Sequence, residues 1–289
     1  MIKEEYSISK RMSEDIARAT IFLQKADYKI SRRNVRFFSF LFDVEDVCDL
    51  YIRAANLFKK EKEWEQSGDA FLKASYLYLE SENTKYLCAS MYIEASKCFE
   101  KVLPQKAVKC LTSAIDIFTD LGKFIMSAKY HVKVAQIYVS INSSSNVQKI
   151  IKNYQKAADY YYSEGSDQSC NRCLLQVAEH SILSLLDEGL CKAIKVYEKL
   201  GTECSQDIVF KYFSKEYFFK ALLCHLCLDD DISEIITKYG KSFKNTDECK
   251  FFDNLDDISF TKFAHYNIRV DQLINVLICR LKNTEDDLR

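Results

Sequence analysis

Cysteine offers the most chemistry in this sequence, supplying 12 of its 289 residues. Two pairs have the C-x-x-C spacing, Cys170-Asn171-Arg172-Cys173 and Cys224-His225-Leu226-Cys227. Paired knuckles about 15–20 residues apart would hold zinc. Here Cys173 and Cys224 are 51 positions apart. Both pairs sit inside amphipathic helical patterns, CNRCLLQVA and FFKALLCHLCL, with no Gly or Pro beside them. Redox chemistry by this motif normally draws on a βαβ setting, which is missing. Cys48, Cys88, Cys98, Cys110 and Cys191 fall where a helix would place a small apolar residue. The expectation is reduced cysteines used as small hydrophobes, with no metal and no cofactor. Of the four histidines, His131, His180, His225 and His265, none lies in an H-E-x-x-H pattern. No G-x-x-x-x-G-K and no G-x-G-x-x-G is present, which excludes those routes to nucleotide binding. No catalytic residue is expected. The rival reading, an enzyme with a zinc or thiol centre in the C-x-x-C helices, is separated from this one by elemental analysis.

The elements that must carry any function follow from what is scarce. With 6 Gly and 1 Pro, against roughly 20 and 14 at average usage, the chain cannot build many hairpins or glycine-lined phosphate sites. It can build long helices joined by short polar turns. A small residue followed four positions later by an aromatic recurs: Ala54 with Phe58, Ala74 with Tyr78, Ala95 with Phe99, Ala114 with Phe118. Val134 with Tyr138, Ala157 with Tyr161 and Ala193 with Tyr197 continue it. Residues four apart share a helix face, so the small member admits a neighbouring helix and the ring fills the gap beside it. The first steps are about 20 residues each, one helix plus a turn, so two make a hairpin of about 40. The expected fold is all-α, a tetratricopeptide-like solenoid of antiparallel helical hairpins. Helices are expected near 9–30, 44–62, 64–80, 84–102, 104–121, 124–140, 147–162, 168–186, 190–200, 207–227 and 231–240, with three shorter ones after them. Pro104 opens one helix and Gly122 closes it. Ser166 or Asp167 caps another, and Gly201 reads as a helix end. After residue 200 the repeat becomes irregular. The expected division is therefore a hairpin sheet over 1–200 and a helical bundle over 201–289.

Charge narrows the partners. Basic residues number 41 and acidic residues 42, giving a net charge of −1. A nucleic-acid binder shows a basic excess, so none is expected. The opening MIKEEYSISKRMSED has no apolar h-region, and no 18-residue apolar run occurs. The reading is a cytoplasmic protein. The segment RFFSFLF places Phe37, Phe38, Phe40, Leu41 and Phe42 together, downstream of Lys25, Lys29, Arg32, Arg33 and Arg36. Two readings stay open: the rings pack under the first hairpin, or an apolar loop near 36–43 touches a membrane weakly beside its basic flank. The tail, with Glu285, Asp286, Asp287 and Leu288, reads either as a solvated end or as carboxylates for a basic partner with a leucine for a pocket.

The chain resembles the soluble N-ethylmaleimide-sensitive-factor attachment proteins, and of these the alpha type. The likeness spans almost the whole sequence. It is carried by FFSFLF at 37–42, YIRAANLFKKEKEW at 51–64, GDAFLKA at 68–74 and PQKAVKCLTSAIDIFTDLGKF at 104–124. AKYHVKVAQIY at 128–138, NYQKAADYYYSE at 153–164, NRCLLQVA at 171–178, AIKVYEKLGT at 193–202, KYFSKEYFFKALLCH at 211–225 and the ending EDDLR continue it. The resemblance implies an adaptor and not an enzyme. It implies a twisted sheet of helical hairpins with a C-terminal bundle, a monomer when free, peripheral on membranes. Its implied partners are the four-helix bundle of syntaxin-type SNAREs, a hexameric AAA+ ATPase (N-ethylmaleimide-sensitive factor) and, weakly, a membrane surface. It assigns SNARE contact to Lys62, Lys123, Lys129, Arg172, Lys211 and Lys215. It assigns membrane contact to the Phe37–Phe42 segment and ATPase stimulation to Glu285, Asp286, Asp287 and Leu288. Gln176 departs from the pattern, standing where the family usually has Lys. A generic tetratricopeptide peptide-binding scaffold and a gamma-type attachment protein are the alternatives. The first would call for repeats of about 34 residues; FFSFLF and the acidic-leucine ending favour alpha over gamma.

Overall fold

The computed structural model describes residues 2–33, 43–141, 144–184, 187–253 and 274–280. Helices follow one another: α1 (Ile2–Arg33), α2 (Val44–Lys60), α3 (Trp64–Tyr78), α4 (Lys85–Phe99), α5 (Pro104–Asp120), α6 (Phe124–Ile141), α7 (Val147–Ser163), α8 (Asp167–Leu183), α9 (Asp187–Gln206), α10 (Lys211–Leu226) and α11 (Ile232–Tyr239). The short α12 (Lys241–Lys244) and α13 (Asp247–Lys250) come next, and 274–280 is helical again. Among the described residues there is no strand. The all-α hairpin array expected from the repeat is what forms.

The chain divides into two compact units, Met1–Ile141 and Asn142–Arg289. The boundary expected at residue 200 falls inside α9. Within the second unit α10 lies against α9.

In the first unit each helix packs on the next, from α1 to α6. The small residues of the repeat are sealed: Ala54, Ala74, Ala95 and Ala114 are all at 0% exposure. Their aromatic partners Phe58, Tyr78, Phe99 and Phe118 are buried with them. Ion pairs then tie alternate helices. Lys59 of α2 meets Glu94 of α4 at 2.8 Å. Lys106 of α5 meets Glu65 and Asp69 of α3 at 3.6 Å. Lys133 of α6 meets Glu100, beyond α4, at 2.8 Å.

One turn recurs. The N–H of Glu63 bonds to the carbonyl of Phe58, that of Lys123 to Phe118 and that of Ser166 to Tyr161, at 2.7–2.9 Å. In each case the residue before the donor has a positive φ: Lys62 at 63°, Gly122 at 65° and Gly165 at 68°. This is the six-to-one closure of a helix C-terminus, built on the aromatic of the repeat. Gly122 thus closes α5 as expected, and Pro104 opens it. Ser166 is the N-cap residue of α8, although its hydroxyl bonds Ser169 and not the backbone.

Gly201 corrects the sequence reading, because it ends nothing. It lies buried inside α9, which runs on to Gln206. A Cβ there would stand 2.7 Å from Cε1 of Phe218. That ring is itself pinned, stacked on Tyr239 at 4.3 Å between centroids and edge-on to Phe243 at 5.6 Å. Gly68 holds the same place beneath Phe99, at 2.7 Å. Gly201→Ala is therefore expected to lower stability by about 1–3 kcal/mol through overpacking, against a helix-propensity gain of about 1 kcal/mol. Urea denaturation measures the balance, and a stabilised variant would show that Phe218 can move aside.

Candidate functional site

The C-x-x-C cysteines are packing residues. Cys170, Cys173, Cys224 and Cys227 are all buried on helices or at a helix end. Burial pushes the Cys173 and Cys227 thiols up to about 11 and raises those of Cys170 and Cys224. All four are protonated at neutral pH and poor nucleophiles. Among the described residues no group of three or more His, Cys, Asp or Glu side chains is placed to hold a metal. His180 lies flat on Tyr154 at 6.0 Å, its basicity lowered by burial. His225 contacts Asp230 at 2.7 Å.

The basic residues are more informative. In the first unit Lys29, Lys59, Lys60, Lys73, Lys106 and Lys133 are spent on ion pairs between helices. Lys62, Lys123 and Lys129 are exposed and form no ion pair among the described residues, a state they share with Lys25, Lys101 and Lys109. Lys123 lies just before α6 and Lys129 within it, roughly 9 Å further along the axis and about 120° around it. Lys62 does not join them. Short turns make successive helices antiparallel, so the α2–α3 turn and the α5–α6 turn lie at opposite ends of the unit.

Position within the helix adds a second signal. Lys123 immediately precedes α6 and Lys211 is the first residue of α10, whereas Lys62 lies just past the end of α2 and is separated from α3 by its N-cap residue Glu63. A helix N-terminus carries partial positive charge and a C-terminus partial negative charge, so Lys211 opposes the fold, whereas Lys62 and Lys123, in the turns that close α2 and α5, lie where a cation is also favoured. The first turns of α6 and α10 hold no acidic residue to compensate. Lys62 also occupies the left-handed φ that Gly122 and Gly165 take in the equivalent turns, which costs a side chain about 1–2 kcal/mol. Lys62→Gly is expected to raise stability by about 0.5–1 kcal/mol, the relief of strain exceeding the entropy gained by the unfolded chain. The same change removes a charge from the candidate surface. Thermal unfolding checks the first half of this statement and partner binding the second.

In the second unit the structure groups Arg172 with Lys211. The start of α8 lies beside the end of α9, where the Asn171 amide donates to Glu203 at 3.2 Å. The start of α10 follows within four residues. Arg172 and Lys211 are both exposed. Lys215 is half-buried and differs: its ammonium meets Glu248 at 2.7 Å and lies 4.5 Å from the Tyr212 ring centre. Desolvation pulls the Lys215 ammonium down, and Glu248 more than offsets it. Gln176, the departure from the family pattern, gives its amide to Glu179 at 2.7 Å.

Sequence reasoning missed the residues between these cations. It carried the helix through 207–227, but α10 starts at Lys211. Asp207 turns the chain by accepting from the N–H groups of Val209 and Phe210. That turn holds Ile208 and Val209 out in solvent at 96% and 76% exposure, with Tyr212 at 73%. Phe210 and Phe213 lean together beside them, 6.5 Å between centroids. An exposed apolar cluster with a lysine at its centre is the anatomy of a contact surface. The signal was readable: Ile208-Val209-Phe210 is an apolar run with no helical alternation directly after Asp207.

The Phe37, Phe38, Phe40, Leu41 and Phe42 segment and the Glu285, Asp286, Asp287 and Leu288 tail lie outside the described residues. No helix among the described residues is long and apolar enough to cross a membrane.

The sequence profile of the soluble NSF attachment proteins matches residues 17–262. The chain belongs to the soluble NSF attachment protein family. It is 36% identical to the alpha-soluble NSF attachment protein of Homo sapiens over 295 aligned residues, covering 94% of this chain and 98% of that protein. It is 37% identical to the beta-soluble NSF attachment protein of Bos taurus over 255 residues, 83% and 84% of the two chains. A soluble NSF attachment protein homolog of Fowlpox virus is 29% identical over 280 residues, 92% of this chain and 99% of that one. All six candidate cations and the phenylalanine segment lie within the span that matches the family of soluble NSF attachment proteins, whereas residues 285–288 lie beyond it.

Proposed function

We propose that the chain is an adaptor of SNARE disassembly that is not itself an enzyme. It binds the four-helix bundle of syntaxin-type SNAREs, recruits a hexameric AAA+ ATPase, the N-ethylmaleimide-sensitive factor, and stimulates it, in support of vesicle fusion and intracellular transport. The observation that carries this reading is that Lys62, Lys123, Lys129, Arg172 and Lys211 are exposed and form no ion pair among the described residues. Lys62 also holds a left-handed backbone, and Lys211 places a cation in the first turn of α10. Exposed charge left unpaired is available to a partner, and the bundle offers acidic patches. Lys129 adds to the basic residues of the first unit; Arg172 adds to those of the second, where Lys215 lies against Tyr212. The apolar cluster at 208–213 supplies the desolvated contact that ion pairs alone lack. The relatives' names, attachment proteins of NSF and a vesicular-fusion protein of Komagataella phaffii, support the choice of partners.

Phe37, Phe38, Phe40, Leu41 and Phe42 serve as a weak membrane contact, peripheral and effective through avidity. Glu285, Asp286, Asp287 and Leu288 act on the ATPase. Reconstitution tests the whole reading. Preformed SNARE bundle, the ATPase and ATP are mixed with and without this protein, and bundle loss is followed. Disassembly that depends on the protein is the expected result, and disassembly indifferent to it refutes the reading. On liposomes Phe37→Ser with Phe38→Ser lowers disassembly of anchored bundles and spares soluble ones.

A further inference from the structure

The second unit contains a cleft that the proposed function does not use. It runs along the second half of α9 under α10 and α11, with a volume of about 660 Å³. Its floor is apolar, made by the stacked rings of Phe218 and Tyr239. Its rim is mixed in charge with one cation in excess, Lys195, Lys199 and Lys238 standing beside Glu198 and Glu203. Glu198 accepts from the Tyr239 hydroxyl at 2.9 Å and pairs with Lys238 at 3.3 Å. Lys199 reaches Glu203 at 3.7 Å. Lys195 is exposed and makes no ion pair among the described residues.

We propose that this cleft holds the chain's own segment Glu285-Asp286-Asp287-Leu288, with the carboxylates on the lysine rim and Leu288 on the Phe218–Tyr239 floor. Lys195 stands ready for a carboxylate, the pairs of Lys199 with Glu203 and Lys238 with Glu198 are long enough to exchange partners, and the apolar floor suits the leucine. The reach also matches. Arg280 pairs with Asp187, the first residue of α9, and so fixes where the tail begins. Lys195 and Lys199 lie eight and twelve positions further along α9, roughly 12 and 18 Å away. Glu285 to Asp287 are five to seven residues beyond Arg280 and span up to about 17–24 Å when extended. The direction is favourable as well. At 100° per residue Asp187, Lys195, Glu198 and Thr202 share one flank of α9, so the tail meets the cleft without crossing the helix. Tethering over so short a distance gives an effective concentration in the millimolar range. A dissociation constant near ~100 μM in trans then fills the cleft about nine-tenths of the time. A docked tail is withheld from every other partner, the ATPase included; the docking itself does not depend on that reading.

A labelled peptide of residues 283–289 is titrated, without ATPase, into two full-length proteins: the native chain, and one carrying Glu285→Gln, Asp286→Asn, Asp287→Asn and Leu288→Ser. The vacated cleft is expected to bind the peptide at least tenfold more tightly than the native chain does. Adding Lys195→Glu to the vacated chain lowers binding about tenfold, while Lys192→Glu, on α9 but outside the cleft, changes it little. A photo-crosslinker at position 288 of the native chain is expected to label α9 to α11 within one molecule at every dilution. Equal affinity for the two proteins, no binding to either, or indifference to Lys195→Glu overturns the proposal. Crosslinks between molecules that grow with concentration also overturn it and assign the cleft to a second copy.

Discussion

Reversing Lys123 and Lys129 to Glu is expected to weaken binding to the SNARE bundle by on the order of 10–100-fold. Both side chains are exposed and make no ion pair among the described residues, so no buried partner is left behind. Two reversals against an acidic surface cost about 1–3 kcal/mol in total once solvent screening is allowed for. The fold is expected to change little. Lys123 stands between the positive end of α6 and the negative end of α5, so a carboxylate gains about 0.3–1 kcal/mol at the first and loses a similar amount at the second. The variant is therefore expected to be about as stable as the parent while its binding collapses. That combination separates a contact residue from a structural one. Native binding falls as salt rises, because attraction between exposed charges is screened over about 8 Å at physiological ionic strength. The variant loses most of that dependence. Bundle affinity measured across a salt series, beside urea denaturation, tests both halves; undiminished affinity removes the basic surface from the account.

Phe118→Ala is expected to cost about 3–5 kcal/mol, the range for deleting a sealed aromatic. Phe118 is 1% exposed, edge-on to Tyr86 at 5.9 Å between centroids and stacked on Tyr130 at 5.8 Å. It thus joins α4, α5 and α6 through one ring. Its carbonyl also accepts from the Lys123 N–H at 2.7 Å, which sets the turn that presents Lys123. A cavity beneath that turn is expected to lower bundle binding as well as stability, through the placement of Lys123. Phe118→Leu refills part of the space and is expected to recover most of both. Urea denaturation followed by helical circular dichroism gives the stability; a loss below about 1 kcal/mol would mean that the three helices collapse around the gap.

The sequence by itself determined the class of fold and its local grammar. Few glycines and one proline left helices as the economical structure, and the small-then-aromatic spacing stated which face of each helix is buried. That information is local, written at i and i+4, so Ala114 and Phe118 could be paired without knowing what they pack against. It also gave the closing glycine at 122 and the opening proline at 104, because their backbone restrictions belong to the residue itself. Positions where tertiary contact overrides local preference were not legible. Lys62 takes a left-handed turn that a lysine does not announce. Gly201 looks like a helix end and is instead the hollow that admits Phe218, a residue 17 positions away.

The candidate surface divides along the same line. Lys123 and Lys129 are six positions apart, and helical geometry alone places both at the start of α6, on different faces. The pairing of Arg172 with Lys211 required knowing that α8 begins where α9 ends. That Lys215 is already neutralised required Glu248, which arrives from α13. The exposure of Ile208, Val209 and Tyr212 was decided by a single carboxylate, Asp207, bending the chain before α10 could extend backwards to cover them. Sequence sets what each residue prefers within one turn of helix. Which charges remain for a partner depends on which neighbours arrive from elsewhere in the chain, and only the folded structure brings them.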